Sequence, residues 1–132
     1  MVRAMVIAAA LAVLGSPVQA ADKLDCKNAE TTYELDQCAG KDFQAADTKL
    51  NTIYRQLMSK YDSASQALLK TAQRNWLTFR DSECTYETNG TVGGSMNAMM
   101  FTTCKTEKTN ARVKELNAQL HCEEGDMSCN AP

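Results

Sequence analysis

The sequence predicts an all-α protein, an antiparallel bundle of about three long helices stapled by disulfides. Apolar residues recur at intervals of three and four along most of the chain, which is the spacing of one face of an α-helix. β-Branched aliphatic residues favour strands, and after residue 20 only Ile53, Val92 and Val113 are of this kind. Pro132 is the only proline in that part, so no proline interrupts the periodic segments.

Residues 1–20 have the pattern of a cleaved secretory signal. Arg3 precedes an apolar run from Val6 to Leu14, which is shorter than the roughly 20 residues that a membrane-spanning helix needs. Small residues follow, and we predict cleavage after Ala20. Export to the periplasm or the medium then leaves residues 21–132 as a single helical domain with no membrane anchor and a net charge of −3.

The first helix of the domain is predicted from about Tyr33 to about Lys60. Thr31 and Glu34 have the spacing of a capping box, and Gly40 weakens the helix by up to ~1 kcal/mol relative to alanine. Its apolar positions step by three and four: Leu35, Cys38, Ala39, Phe43, Ala46, Leu50, Ile53, Tyr54, Leu57 and Tyr61.

The second helix is predicted to begin near Asp62 or Ser63, both good N-cap residues, and to end near Glu87. Its buried face is expected to consist of apolar side chains, Leu69, Ala72, Trp76 and Phe79, with Leu68 and Leu77 at its flanks. Gln73 falls outside this face.

A glycine-rich loop, residues 88–95, separates the second helix from the third. Ser95 is expected to cap the third helix, which continues to about Leu120. Its segment 105–110 is polar, and we expect a break or kink near there. A short acidic tail from His121 to Pro132 completes the domain.

All six cysteines follow the predicted signal, and in an oxidising compartment an even number indicates a disulfide framework. Six cysteines allow fifteen connectivities. Pairing sequence neighbours is the simplest of them: Cys26–Cys38, Cys84–Cys104 and Cys122–Cys129.

Length, charge and motifs point away from several functional classes. The chain is too short for the large α/β enzyme folds, and its slightly acidic charge lacks the basic face that nucleic acids require. His121 is the only histidine, and no Cys-x-x-Cys motif or pair of carboxylates marks a catalytic or zinc site. We therefore predict a protein that is not an enzyme, with no metal and no cofactor.

Three methionines at the start of the third helix leave one alternative open. Thioethers bind soft metals such as Cu(I), whereas methionine at helical spacing is more often a core gap filler. These residues are Met96, Met99 and Met100.

Two groups of residues are candidates for a role in binding. Trp76, Arg80 and Glu83 lie along one side of the second helix, where Arg80 is expected to stack on Trp76 and pair with Glu83. This group is either an internal brace or a contact for a partner or glycan. The second group is the loop, which a Cys84–Cys104 bridge would clamp at its base; it is either a partner-binding loop or a plain connection. Its candidate residues are Asn89, Gly90, Thr91, Gly93, Gly94 and Ser95.

These landmarks together resemble the lysozyme inhibitor LprI-like family of small exported bacterial proteins. The most specific stretch is Gln73-Arg74-x-Trp76-x-x-Phe79-Arg80-Asp81-x-Glu83-Cys84, followed by Gly93-Gly94-Ser95, Cys104 and the closing Cys122–Cys129 segment.

The resemblance implies a periplasmic, disulfide-bonded helical protein that inhibits lysozyme or a related peptidoglycan hydrolase by occluding its cleft. Lysozymes of the animal type are strongly cationic, so an acidic partner gains electrostatic steering. An envelope protein-interaction module with another target and the methionine-based metal binder remain as alternatives.

Overall fold

The computed structural model describes residues 24–123 and 125–129, which form three long helices and no strand. The helices are α1 (Thr32–Lys60), α2 (Ser63–Glu87) and α3 (Asn97–Leu120), with a 3-10 turn at Asn89–Thr91. The predicted all-α bundle is confirmed. The predicted signal at residues 1–20 lies outside the described residues.

Consecutive helices run antiparallel, so α1 and α3 point in the same direction. Phe43 in the first half of α1 meets Lys105 in the first half of α3, and Leu57 near the end of α1 packs in one cluster with Leu116 near the end of α3. The α1–α3 pair makes most of the close helix–helix contacts. α2 stands farther from both, and long side chains fill the space between.

Side-chain caps fix the starts of the first two helices. Thr31 Oγ1 accepts a hydrogen bond from the Glu34 N–H (3.2 Å), and the Glu34 carboxylate accepts one from the Thr31 N–H (3.0 Å). Asp62 accepts a hydrogen bond from the Ser65 N–H at 2.7 Å. Both starts match the sequence prediction, and α1 continues through Gly40 without interruption.

The third helix differs from the prediction in two ways. Ser95 is not its cap, because the helix begins after Met96, which makes no side-chain cap hydrogen bond. The chain instead enters α3 through a backbone turn in which the Asn97 N–H donates to the Gly94 carbonyl at 3.3 Å. The expected break in residues 105–110 is also wrong: α3 is continuous, since Lys105 lies over aromatic rings and Thr109 is fully buried.

The core lies mainly along the line where α1 and α3 meet, which we call the α1–α3 seam. Leu50 and Leu57 are each 1% exposed and are among its most buried side chains. Between α2 and this pair, Trp76 and Leu69 pack against the seam but are only partly buried. The buried cluster contains Leu50, Ile53, Leu57, Tyr61, Val113 and Leu116.

The predicted buried face of α2 is partly wrong. Phe79 is 52% exposed and Ala72 is also exposed, whereas Arg80 and Cys84 are buried and Gln73 is half-buried. Hydrophobic patterning misplaced the buried face of α2 because the residue at the centre of that face, Arg80, is a cation. The Arg80 guanidinium lies between two aromatic rings, and because successive residues are about 100° apart around a helix, an inward Arg80 leaves Phe79 at the edge of the buried face.

Three disulfides close the structure, and they join the neighbouring cysteines, as expected. Cys26–Cys38 fastens the N-terminal segment to α1, and Cys122–Cys129 closes the tail. Cys84–Cys104 joins the end of α2 to the first half of α3 and is the most buried of the three.

Candidate functional site

The loop between α2 and α3 is held in one shape by its own hydrogen bonds. Thr88 Oγ1 donates to the Cys84 carbonyl at 2.7 Å, and Thr91 Oγ1 donates to the Thr88 carbonyl at 2.7 Å. The Asn97 side-chain amide in turn donates to Thr91 Oγ1 at 2.8 Å. Backbone bonds add the 3-10 turn. The loop therefore enters an encounter already ordered, which lowers the entropy cost of binding.

Two of the loop glycines are required by its backbone. Gly93 has φ = +82°, which side chains rarely adopt. A Cβ on Gly94 would lie 3.2 Å from the Thr91 carbonyl oxygen, so a larger residue would require a shift of a few tenths of an ångström in this turn. Gly90 has no such constraint, since a Cβ there meets no atom within 4 Å.

The side chains that face outward differ from those that hold the loop together. Asn89, Val92 and Ser95 are exposed, and Val92 exposes 71% of its surface. Thr91 is half-buried and uses its hydroxyl within the loop. Thr88 and Asn97 were not among the predicted residues. The bond from Thr91 to Thr88 has the typical spacing of a local side-chain bond, whereas the bond from Asn97 spans six residues and has no such signal in the sequence.

The base of the loop is fixed by a disulfide and an ion pair. Cys84 is fully buried and its partner Cys104 is 8% exposed. Beside them, Glu87 Oε1 accepts a hydrogen bond from Lys108 Nζ at 2.9 Å, and its Oε2 lies 3.1 Å from Cys104 Sγ. The end of α2 is thus tied to α3 at two adjacent points.

The Trp76–Arg80 group lies inside the bundle, between α2 and the other helices. The Arg80 guanidinium carbon is 5.3 Å from the Trp76 ring centroid and 5.4 Å from that of Phe43, on α1. Its ion-pair partner is Asp81 (Nε to Oδ1, 2.8 Å), so the expected pair with Glu83 is wrong. Arg80 Nη1 is buried with no hydrogen-bond partner, which leaves the aromatic faces as its surroundings.

The same pattern of cations on rings continues along α3, and together these contacts form a cation–aromatic layer. Lys105 Nζ lies 4.4 Å from the Phe43 centroid, and Lys108 Nζ lies 5.9 Å from that of Phe79. The layer comprises Phe43, Trp76, Phe79, Arg80, Phe101, Lys105, Lys108 and Arg112.

Charge is unevenly distributed along the bundle. Residues 24–46 and 76–108, which we call the loop half, contain nine acidic and five basic side chains. Three of those five bases are buried or half-buried in the cation–aromatic layer. The described residues of the opposite half, 47–75 and 109–129, contain seven basic and five acidic side chains. The surface around the loop is therefore acidic.

The remaining candidates lie at the two ends of α3. Met96 and Met100 are 37% and 42% exposed, and Met99 is half-buried beside them. His121 is exposed at the end of α3, where Nδ1 lies 2.9 Å from the Asn117 carbonyl oxygen. Within the described chain, no group of three or more His, Cys, Asp or Glu side chains is arranged to hold a metal ion.

The lysozyme inhibitor LprI family model matches residues 25–116, a range that includes α1, α2, the loop and most of α3. The chain belongs to the LprI family. A relative in Rhizobium meliloti (strain 1021), an uncharacterised protein, is 32% identical over 113 residues, which cover 76% of this chain and 81% of that one. No solved structure matches this LprI-family chain significantly. None of its described helices is long and apolar enough to span a membrane.

Proposed function

We propose that this LprI-family protein is exported and inhibits a lysozyme or a related peptidoglycan hydrolase by placing its loop end over the enzyme's substrate cleft. The observation that carries the proposal is the loop itself, which is internally hydrogen-bonded and clamped at its base by Cys84–Cys104. Inhibition of this kind needs shape and charge but no chemistry, which agrees with the family description.

The loop contributes through its exposed side chains. Asn89 makes no side-chain hydrogen bond with any described residue, so its amide is available to carboxylates or backbone groups of a cleft. Val92 supplies an exposed apolar contact next to it. Thr91 supports the proposal indirectly, because its hydroxyl keeps the turn closed.

The charge of the loop half determines which partner it approaches fastest. A cationic hydrolase is steered toward an acidic surface, and the effect falls as salt screens it beyond about 10 Å at 0.1 M. We expect the association rate with a cationic lysozyme to fall with ionic strength, while the dissociation rate, set by the contacts of the loop, changes little.

Lysis of peptidoglycan by an animal-type lysozyme, titrated with the oxidised protein, tests the proposal. Stoichiometric inhibition that Asn89→Ala and Val92→Ser each weaken about tenfold would support it. Asn110→Ala, an exposed amide on α3, is the matched control and should leave inhibition unchanged. No inhibition at high micromolar concentration would reject lysozyme as the target and favour an envelope interaction module with another partner.

A further inference from the structure

One side of α2 carries a row of exposed side chains. Leu68 is 68% exposed, Phe79 52% and Tyr86 78%. The row advances by four and three residues in alternation, which is the spacing of a helix–helix seam. Its members are Leu68, Ala72, Asn75, Phe79, Ser82 and Tyr86, all of them exposed.

A groove opens between α2 and α3 beside the first residue of this row. It encloses about 430 Å³ and is lined mainly by aliphatic side chains, among them Leu57, Leu68 and Leu116. Tyr61 also lines it. The groove thus offers a mainly apolar space at the flank of α2.

We propose that this face is an interface between two copies of the chain, packed antiparallel about a two-fold axis that crosses α2 between Asn75 and Phe79. Leu68 and Tyr86 lie five helical turns apart on the same line along α2, so this axis places Leu68 of each copy opposite Tyr86 of the other. The same symmetry sets Asn75 opposite Phe79 and Ala72 opposite Ser82. A row that matches its own reverse is what an isologous interface requires.

Tyr86 of the second copy fits the groove beside Leu68. Its ring is the most exposed of the row, and an aromatic side chain buries a large area at little conformational cost.

The charge distribution favours the antiparallel over the parallel arrangement. In an antiparallel pair the acidic loop half of each copy lies beside the more basic opposite half of the other, whereas a parallel pair would place nine acidic side chains beside nine more. The arrangement also leaves one loop free at each end of the dimer. The dimer can therefore be tested independently of the proposed inhibition.

Sedimentation velocity of the oxidised chain between about 5 and 500 µM tests the interface. We expect a monomer–dimer equilibrium that Tyr86→Ser weakens more than tenfold, whereas Tyr86→Phe, which keeps the aromatic ring, has a smaller effect. Tyr33→Ser is the matched control, since Tyr33 is 73% exposed on α1 in the same loop half, and it should change nothing.

Salt dependence separates the two orientations. The antiparallel dimer should dissociate more as NaCl rises from about 50 to 500 mM, whereas a parallel dimer would tighten. A chain that remains monomeric at the highest concentration, or a dimer that tolerates Tyr86→Ser, would overturn the proposal. Circular dichroism of each variant shows that the helices are intact, and because Tyr86 is exposed, its substitution should not prevent folding.

Discussion

The α1–α3 seam and the cation–aromatic layer hold the same small molecule together by different means. The seam buries aliphatic side chains such as Leu50 and Leu57 almost completely, between helices that run close together. The layer holds α2 at a distance through Arg80, Trp76 and Phe43, with only Arg80 and Cys84 of α2 buried. The seam therefore provides most of the stability, whereas the layer fixes the position of α2 and leaves its outer face free for binding.

The largest contrast is expected from one leucine in each region. Leu57→Ala should lower the free energy of unfolding by about 2–5 kcal/mol, because the side chain is 1% exposed and its removal leaves a cavity in the seam. Leu68→Ala, on α2, should change it by less than ~0.5 kcal/mol, since that side chain is 68% exposed. Urea denaturation of the oxidised protein measures both, and similar losses would show that α2 is part of the main core.

Sequence patterning predicts the seam better than the layer, and the reason is physical. The apolar period of α1 identifies the buried residues Leu50, Ile53 and Leu57, because burial there follows hydrophobicity alone. On α2 one of the two buried residues is Arg80, which hydrophobic patterning assigns to solvent, and its aromatic partner Phe43 comes from another helix. Contact between a cation and two rings from different helices depends on the tertiary structure.

The candidate site divides in the same way. The loop is predicted from its glycine content, a local signal, and Cys84–Cys104 from the simplest pairing of neighbouring cysteines among fifteen connectivities. The sequence does not predict that Asn89 is exposed while Thr91 points inward, since both are small polar residues of the same loop. The Arg80–Asp81 pair was also missed, because helical spacing favours partners three or four residues away and Asp81 is adjacent.

A double-mutant cycle measures the layer itself. Arg80→Met and Trp76→Leu, singly and together, should give a coupling free energy of about 0.5–2 kcal/mol, the range for a desolvated cation–π contact. The same cycle on Lys108 and Phe79 is the control, because the Phe79 ring is 52% exposed and its centroid is 5.9 Å from Lys108 Nζ, and its coupling free energy should be smaller. Equal couplings in both cycles would mean that burial of Arg80 adds nothing to the contact.

A stabilising substitution in α1 tests the contribution of the α1–α3 seam. Gly40→Ala should raise the free energy of unfolding by about 0.5–1 kcal/mol, because Gly40 lies inside α1 and a Cβ there meets no atom within 4 Å. Gly93→Ala is the matched control and should destabilise, since φ at Gly93 is +82°. Thermal unfolding of both variants gives the sign directly, and a destabilising Gly40→Ala would reveal a constraint on α1 beyond helix propensity.

The smallest expected effect is a loss of stability in acid that both regions share. Hydrogen bonds from Thr31 hold the pKa of Glu34 below its ordinary value, and hydrogen bonds from Ser65 do the same for the pKa of Asp62. A carboxylate whose pKa is lower in the folded state stabilises the protein above its unfolded pKa, and that contribution is lost as the pH falls through the folded pKa. The melting temperature should therefore decrease as the pH is lowered below about 4.

Two neutral variants assign this loss to the caps. Asp62→Asn keeps an N-cap acceptor on α2 without a titrating group, and Glu34→Gln does the same for the capping box of α1. Each should flatten the fall in melting temperature between pH 6 and pH 3, while Glu107→Gln, in the middle of α3, serves as the control. If only Glu34→Gln flattens the curve, the acid-sensitive step is unfolding of α1 together with the seam, and α2 follows because its layer has no independent core.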